Sequence, residues 1–409
     1  MRIIVYAHSM EIGGSQLNAI EIGSAVQRQG HEVVLVGEDG PLAEKAMALG
    51  LEHFRIQNRR RRPSLPVMRK LLELVRCRKI EVVHGYEWPP AIESWLGPGL
   101  IGAAVPFATV MSAEVAPFLP HTLGLVVGTR QLQHRCLKRG FSDVTLIEPP
   151  VDVEENSPTF DGSEYRASLG LRRSTVLVVV VCRLVRELKL EGLIAATRAV
   201  GQLVKEGIDI RLLIVGDGPV RHEVELAVGE ANALAGSEAV LIAGETRDPR
   251  PAYASADVVL GMGGSALRGM AFGKPLIVQG ERGFWQLCDG RSVGVFLESG
   301  WYGLGDGGDG VSRLRGELLT LVQNPDLRRS LGTFSRDLVV SRFGLDGAAR
   351  VQIECYERAL VSPRRPSLTE ITKTLSGLAA YKAGRRWQRM RGTIAGDDFN
   401  AIRHMSGGS

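Results

Sequence analysis

The chain has 409 residues, of which 44% are hydrophobic and 23% charged, as in ordinary soluble globular proteins. This composition excludes a disordered chain, a coiled coil and a fibrous repeat, and the length predicts two to four domains. The net charge of +5 lies at the end, because residues 361–409 hold nine basic and three acidic side chains against 41 and 42 in the remainder. A neutral body argues against nucleic acid as a partner, since a nucleic-acid enzyme places its basic surface beside its site.

The five cysteines are widely spaced, and none forms a C-x-x-C pair or another metal-ligand pattern. We therefore expect reduced cysteines in a cytoplasmic protein, with no metal bound by them. No cofactor is expected either. The amino-terminal apolar stretch is too short for a signal peptide. The longest uncharged run, residues 96–113, holds two prolines and three glycines and is a poor membrane span. Arginine outnumbers lysine by 41 to 9, which is typical of a bacterial genome rich in G and C.

Short apolar runs alternate with helix-like segments from the first residue onward. This alternation predicts a parallel sheet with helices on both faces. The predicted strands of the first half are residues 3–6, 32–36, 82–83, 108–110, 125–127 and 145–147, and the predicted helices are 16–29, 42–49 and 67–79.

A proline-containing segment, EPPVD at 148–152, and a polar stretch at 154–162 interrupt this series and predict a linker. A second series then starts with a continuous β-branched run at 175–182, which is typical of a fully buried parallel strand. Further strands are predicted at 211–215, 240–242, 258–260 and 275–278. We expect an α/β protein with two facing, doubly wound Rossmann-like domains at 1–150 and 151–343, a helix at 344–360 and a basic extension at 361–409.

Two motifs at strand ends carry candidate chemistry. Gly13 and Gly14 separate the first strand from the following helix, where glycine lets backbone N–H groups face an anion; a simple tight turn is the alternative. Arg183 and Lys189 follow the buried strand at the sheet edge where open α/β sheets bind ligands. Two fixed cations there would stabilise charge on a phosphate leaving group, and a pair of solvated loop cations is the alternative.

Two further glycine turns follow strands of the second half. The first contains Gly216, Asp217 and Gly218. The second contains Gly263, Gly264 and Ser265 and opens a small-residue helix that carries Arg268. A helix start with free backbone amides at a sheet edge predicts an anion site.

These motifs and their order along the chain resemble those of the retaining nucleotide-sugar glycosyltransferases of GT-B fold, a bacterial family that includes mannosyl- and glucosaminyltransferases. The resemblance covers about residues 1–360. It rests on CRLVRELKLEG at 182–192, IVGDGP at 214–219, AYASAD at 252–257, GMAFGKPLIV at 269–278, VVHGYE at 82–87, PPVD at 149–152 and the early glycine pair.

The resemblance implies transfer of a sugar from a nucleotide-diphosphate sugar to a hydroxyl-bearing acceptor, with retention of anomeric configuration and without a metal. It implies that Arg183 and Lys189 grip the donor diphosphate and that Gly13 and Gly14 close over the same phosphates. Asp217 and its neighbouring glycines would line that cleft, and the helix at 344–360 would cross back onto the first domain.

The sequence departs from the family at the last motif, where members usually have two glutamates eight residues apart. Arg268 stands in the second position, and the segment 257–270 is about six residues shorter, so the first glutamate is replaced by the Gly263–Ser265 turn. A carboxylate accepts hydrogen bonds from ribose hydroxyls, whereas a guanidinium only donates. We expect altered ribose recognition, or contact of Arg268 with a phosphate.

The predicted acceptor-side residues are His84, Glu87, Ser112 and Glu114. His84 and Glu87 match the family in register, whereas Ser112 and Tyr86 stand where members have histidine. A structural histidine is the alternative for His84, and a solvated surface carboxylate is the alternative for Glu87 and Glu114.

Two alternative functions remain. One is a catalytically degenerate scaffold that binds a nucleotide or a partner, and the other is a sugar-nucleotide epimerase of the same fold. The cluster Arg59–Arg62, together with the basic tail, would make the protein membrane-peripheral if it rested on anionic lipid. The nucleotide, the sugar and the acceptor, whether a natural product or a cell-envelope glycan, stay open.

Overall fold

The computed structural model describes residues 1–57 and 62–391. The chain divides into two compact units: unit 1 comprises Met1–Pro149 and the chain from Leu345, and unit 2 comprises Pro150–Gly344. Each unit is built around one Rossmann-like sheet dominated by parallel strands, which confirms the predicted fold class.

The strands alternate with helices along the chain. The strands of the described residues are β1 (Arg2–Tyr6), β2 (Glu32–Gly37), β3 (Glu52–Arg55), β4 (Val82–Tyr86), β5 (Val105–Val110), β6 (Gly124–Val127), β7 (Val144–Leu146), β8 (Val176–Val181), β9 (Ile210–Val215), β10 (Val240–Gly244), β11 (Val258–Gly261), β12 (Leu276–Glu281), β13 (Trp285–Leu287) and β14 (Gly303–Leu304). The α-helices are α1 (Gly14–Arg28), α2 (Leu42–Ala48), α3 (Leu65–Arg78), α4 (Trp88–Ser94), α5 (Arg130–Lys138), α6 (Ser163–Ser168), α7 (Glu191–Lys205), α8 (Arg221–Ala235), α9 (Arg250–Ser255), α10 (Gly263–Ala271), α11 (Val293–Ser299), α12 (Gly310–Gln323), α13 (Pro325–Arg342), α14 (Leu345–Val361) and α15 (Leu368–Met390).

The sheet of unit 1 has the order β3-β2-β1-β4-β5-β6-β7, with every pairing parallel. Side chains of β1 alternate between two cores, because Ile3 and Val5 pack on one face of the sheet and Ile4 and Tyr6 on the other. The strand order reverses between β1 and β4, so the carboxyl ends of these two strands flank the switch point where such sheets bind ligands.

The sheet of unit 2 has the order β10-β9-β8-β11-β12-β13, in which only the β12–β13 pairing is antiparallel, and β14 pairs with β12. The apolar run of β8 is buried on both faces: Val178 and Val180 join one core, and Leu177 and Val179 the other. The switch point lies between β8 and β11. The predicted strands of this half correspond to β8–β12, while β3, β13 and β14 were not predicted.

Helix α14 belongs to unit 1 and packs against α1, with Leu345, Ala349 and Ile353 in the shared core. Helix α15 also packs on unit 1, where Leu378 enters the cluster around Phe118. No helix in the described part of the chain is long and apolar enough to cross a membrane.

The His84 ring lies in the core of unit 1, which corrects its predicted place on the acceptor side. The residue is fully buried in β4. Its Nδ1 lies 2.6 Å from the Tyr356 hydroxyl of α14, and its Nε2 lies 2.7 Å from Thr109 Oγ1 of β5. Both ring nitrogens are therefore occupied, and burial lowers the pKa of His84 to about 3. His84 is a neutral structural link between the sheet and α14.

We predict a pH-dependent contribution of His84 to stability. Its pKa is about 3 in the folded protein, against an ordinary value of 6.5, so between these values the unfolded chain binds more protons. Stability rises with pH in this window and is lost as the pH falls below about 6.5, by about 1.4 kcal/mol per pH unit for one group. Chemical denaturation at pH 4, 5, 6 and 7 should therefore show a shallower dependence for His84→Gln than for the wild type.

The comparison variant is His134→Gln on α5, because His134 is exposed and this variant also replaces one histidine by glutamine. An equal slope for His84→Gln and the wild type would contradict the assignment of a buried neutral histidine.

Candidate functional site

Three motifs of unit 2 meet at one edge of its sheet. The neighbouring strands β9, β8 and β11 are parallel, so their carboxyl ends share an edge. Gly216–Gly218 follows β9, the segment 183–190 follows β8, and Gly263–Ser265 follows β11. The structure thus assembles the predicted donor motifs around the switch point between β8 and β11.

The two glycines of the first turn permit close approach of backbones. A Cβ on Gly216 would lie 1.9 Å from the Cys182 carbonyl oxygen, and one on Gly218 would lie 2.2 Å from that of Leu184. Backbone hydrogen bonds fix the contact, because Cys182 N donates to Val215 O at 3.0 Å and Leu184 N donates to Asp217 O at 2.9 Å. The glycine turn therefore packs directly against the backbone on both sides of Arg183.

The Asp217 carboxylate stabilises this turn. It accepts hydrogen bonds from Gly218 N at 2.7 Å and from Arg221 Nη1 at 2.8 Å, and both interactions lower the pKa of Asp217. Its two oxygens are engaged by the protein, so its part in a donor site is to position the turn.

Lys189 carries the central electrostatic feature of unit 2. Its side chain is half-buried, and this burial lowers the pKa of Lys189, with an opposing contribution from the nearby Cys182 thiol. Arg183 is exposed. Among the described residues, neither side chain makes a hydrogen bond or an ion pair. Two cations without a protein carboxylate thus lie at the carboxyl end of β8.

The backbone around Lys189 is fixed by residues that sequence reasoning did not find. Leu188 has φ 66°, a left-handed conformation that costs about 1–2 kcal/mol for such a residue, and its N–H donates to Glu281 Oε1 at 3.1 Å. Gln279 Nε2 donates to Lys189 O at 3.2 Å. A Cβ on Gly192 would lie 2.3 Å from the same Gln279 nitrogen. The one signal in the sequence is Gly192 itself.

Two carboxylates extend this support. Glu191 accepts from the backbone N–H groups of Arg282 at 3.0 Å and Gly283 at 2.6 Å. Glu281 also accepts from the Tyr302 hydroxyl at 2.6 Å, and burial together with this carboxylate raises the pKa of Tyr302. The end of β12 therefore anchors the loop after β8.

The third motif forms the start of α10. Gly263 has φ 53°, and its N–H donates to Trp301 O at 3.0 Å. Ser265 Oγ donates to Met262 O at 2.9 Å. A Cβ on Gly264 would meet nothing within 4 Å, so the backbone is open to approach there. The open backbone at Gly264, in the first turn of α10, therefore has the geometry of an anion-binding helix start.

Arg268 lies half-buried in α10, close enough to Tyr253 for its charge to oppose the rise in the pKa of that phenol caused by burial. The Tyr253 hydroxyl donates to Ser265 O at 3.2 Å. Arg268 thus belongs to the same helix as Gly263 and Gly264, one and a half turns further on.

Unit 1 presents a second cluster, at the carboxyl ends of β1, β4 and β5. Gly13 precedes α1, and a Cβ there would lie 2.5 Å from Gln16 Oε1, whereas Gly14 has open space. Next to this turn, Ser15 Oγ donates to Glu87 Oε1 at 2.8 Å, across the switch point. The glycine loop is thereby tied to the end of β4.

Glu87 is 8% exposed and has φ 68°. Its carboxylate also accepts from Met111 N at 3.0 Å and from Ser112 Oγ at 2.9 Å, so it joins three chain segments. The surface alternative for Glu87 is wrong, and its place is that of a positioning carboxylate with Ser112 as a partner. Glu114, in contrast, has a side chain that is 42% exposed, and its Oε1 lies 4.0 Å from Arg135 Nη1. Of the four acceptor-side residues, only Glu87 and Ser112 are brought together.

Comparisons with known proteins agree with this arrangement. Residues 175–300 match the family Glycosyl transferases group 1. A 2-deoxystreptamine glucosyltransferase of Streptomyces kanamyceticus is 31% identical over 176 residues, which are 41% of this chain and 43% of that protein. The alignment therefore spans less than half the length of the curated relative it matches.

Solved structures extend the likeness to most of the chain. A glycosyltransferase from Rickettsia africae has a TM-score of 0.70 at 14% identity, covering 89% of this chain and 99% of that one. Anabaena HepE, crystallised with UDP, has a TM-score of 0.67 at 16% identity, covering 88% and 100%. The fold is of GT-B type. Within unit 2, residues 175–300 are similar to the group 1 glycosyltransferase domain, as the sequence motifs predicted.

We predict that Gly216→Ala disrupts the contact between the β9 turn and the Arg183 segment, because the new Cβ would overlap a backbone oxygen. The unfolding free energy should fall by at least about 2 kcal/mol, the range of a strained backbone in a packed site. Chemical denaturation measures this change.

Gly229→Ala in α8 is the control, since nothing lies within 4 Å of the added methyl. It should raise stability by up to about 1 kcal/mol through helix propensity. Equal stability of Gly216→Ala and the wild type would contradict the close packing of the turn.

Proposed function

We propose that the protein transfers a sugar from a nucleotide-diphosphate sugar to a hydroxyl group of an acceptor. Unit 2 binds the donor, and unit 1 contributes the acceptor side. The observation that carries the proposal is the pair Arg183 and Lys189, two cations without a carboxylate partner in the described residues, at the switch point of a GT-B donor domain.

The pair matches the chemistry of the departing group. When the bond between the sugar and the diphosphate breaks, negative charge develops on the phosphate oxygens. Preorganised cations and backbone N–H groups stabilise such charge most effectively where water is excluded. Burial lowers the pKa of Lys189, and an anionic ligand beside it would favour its protonated form. The Gly264 backbone at the start of α10 supports the same charge.

The cations also supply the charge that a divalent metal provides in other transferases, and we infer a reaction independent of metal and of any cofactor. In the described residues, no three His, Cys, Asp or Glu side chains are grouped to hold a metal ion. Retention of anomeric configuration follows from the resemblance to the retaining family, and is part of the proposal.

Several finer points of the substrate belong to this proposal. The UDP in the HepE crystal structure supports a nucleoside diphosphate donor without fixing the base. The Streptomyces relative is a 2-deoxystreptamine glucosyltransferase, and both a natural product and a cell-envelope glycan stay candidate acceptors for this chain. Arg268 replaces a carboxylate that would accept ribose hydroxyls, and we infer that it donates to the ribose or a phosphate instead.

A catalytically degenerate scaffold is the alternative from another class, favoured by the absence of the two family glutamates. The hydrogen bonds that fix the backbone at Leu188 and Lys189 favour a site built to bind an anion, which a transferase and a nucleotide-binding scaffold both require. The group 1 match at 175–300 favours transfer over epimerisation. Incubation of the protein with labelled donors separates the three: transfer or hydrolysis, isomerised donor, or binding alone.

We predict that Arg183→Ala lowers turnover about 10²–10³-fold, the scale for loss of one group that stabilises transition-state charge. Lys189→Met, which keeps the length and apolar character of the stem, should lower it at least as much. Steady-state transfer of labelled sugar measures both effects.

Arg186→Ala is the matched control, because the Arg186 guanidinium is bound to Glu223 at 2.6 Å and lies outside the proposed cation pair. It should retain turnover within about threefold of wild type, which is a difference of less than about 1 kcal/mol in activation free energy. Unchanged turnover in Arg183→Ala and Lys189→Met would refute the role of the pair. Full activity after treatment with a chelator, and an α/β assignment of the product by NMR, test metal independence and retention.

A further inference from the structure

Helix α15 runs along unit 1 from the amino edge of its sheet to the carboxyl edge. Near its start, Glu370 accepts from Thr122 N at 2.9 Å and from Thr122 Oγ1 at 2.8 Å, just before β6 begins. Eleven residues later, Tyr381 packs against Trp88, which follows β4, with ring centroids 5.7 Å apart. All strands of this sheet are parallel, so the two contacts lie at its opposite edges.

Beyond Tyr381 the helix continues to Met390, about 14 Å at 1.5 Å per residue. These last turns extend past the carboxyl edge, where Glu87 fixes the glycine loop. They are rich in positive charge: the segment 382–391 contains no acidic residue and has five basic ones, Lys382, Arg385, Arg386, Arg389 and Arg391.

The face of α15 that packs on unit 1 changes character along its length. It carries Ile371, Leu378 and Tyr381 over the sheet, all in contact with the core around Phe118. The helical spacing continues this stripe to Arg385 and Arg389. Beside these cations, Trp387 is 49% exposed and Met390 is 71% exposed. Apolar side chains interspersed with arginines are typical of a helix that lies at a lipid interface.

We propose that the end of α15, residues 382–391, is a docking element for an anionic membrane surface. Anionic headgroups complement the five cations, and the interfacial layer accommodates the exposed indole and thioether. Nucleic acid is the weaker partner, since the rest of the chain is neutral and adds no basic surface. Resting on the proposed function, this placement brings the acceptor side of unit 1 to the lipid surface and indicates an acceptor presented there.

The membrane contact expected from the sequence also included the cluster Arg59–Arg62. Arg62 is engaged by unit 1, because its guanidinium donates to Glu38 Oε1 at 3.0 Å and to His8 O. Arg59, Arg60 and Arg61, like residues 392–409, lie outside the described residues. The proposal therefore rests on α15.

The test is co-sedimentation of the full chain with vesicles of pure phosphatidylcholine and of phosphatidylcholine containing about a third phosphatidylglycerol. The wild type should bind the anionic vesicles, and high salt should weaken the binding. Each cation near the surface raises the affinity for an anionic membrane roughly fivefold. The double variant Arg386→Glu and Arg389→Glu should therefore weaken vesicle binding by about 25-fold or more. The indole emission of the wild type should shift to the blue on binding, and part of the shift should disappear in Trp387→Ser.

The matched control is the pair Arg69→Glu and Arg76→Glu, which changes the net charge equally on the exposed side of α3 in the same unit. It should retain anionic vesicle binding within a fewfold of wild type. Three results would each overturn the proposal. They are equal binding of the wild type to both vesicle types, unchanged vesicle binding by the α15 double variant, and an equal loss of binding in the control double variant. Vesicle binding needs no donor, so its failure is independent of the turnover of Arg183 and Lys189 variants.

Discussion

A half-buried lysine without a carboxylate partner in the described residues is the constraint on which unit 2 depends. Burial alone disfavours the charged form of Lys189, and the described part of the protein offers it no carboxylate. The surrounding structure holds it there nonetheless. The left-handed Leu188, the Gln279 amide and the Glu281 carboxylate all fix the backbone of the same loop. An anionic ligand would satisfy the ammonium and explain why the loop is so firmly anchored.

In both units, close contacts join the loops that follow neighbouring strands at the switch point. In unit 2, backbone contacts of glycine turns press the end of β9 against the loop after β8. In unit 1, the buried Glu87 carboxylate performs the corresponding role and joins the loop at Ser15 to the segment after β5. The two clusters differ in charge. Unit 1 supplies a carboxylate whose oxygens are occupied by donors, whereas unit 2 supplies unpaired cations, which is why the diphosphate is assigned to unit 2.

Local patterns were sufficient for most of the fold and for part of the site. The continuous β-branched run of β8 identified a strand buried on both faces, and Arg183 and Lys189 followed from its carboxyl end. The strand β3 was missed, because EHFR is four residues long and lacks an apolar run. The roles of Glu87 and Glu281 could not be predicted, since their partners Ser15 and Leu188 lie 72 and 93 residues away. His84 matched a family motif, and only the fold revealed the hydroxyls that occupy both of its nitrogens.

Equilibrium binding of the donor's diphosphate tests the central claim most directly. Calorimetric titration of the wild type with UDP, GDP, dTDP and ADP, each beside its nucleoside, separates recognition of the phosphates from that of the base. We predict that at least one diphosphate binds far more tightly than its nucleoside. The double variant Arg183→Ala and Lys189→Met should lose this preference while it keeps its affinity for the nucleoside. A preference for the diphosphate that survives in the double variant would contradict the account.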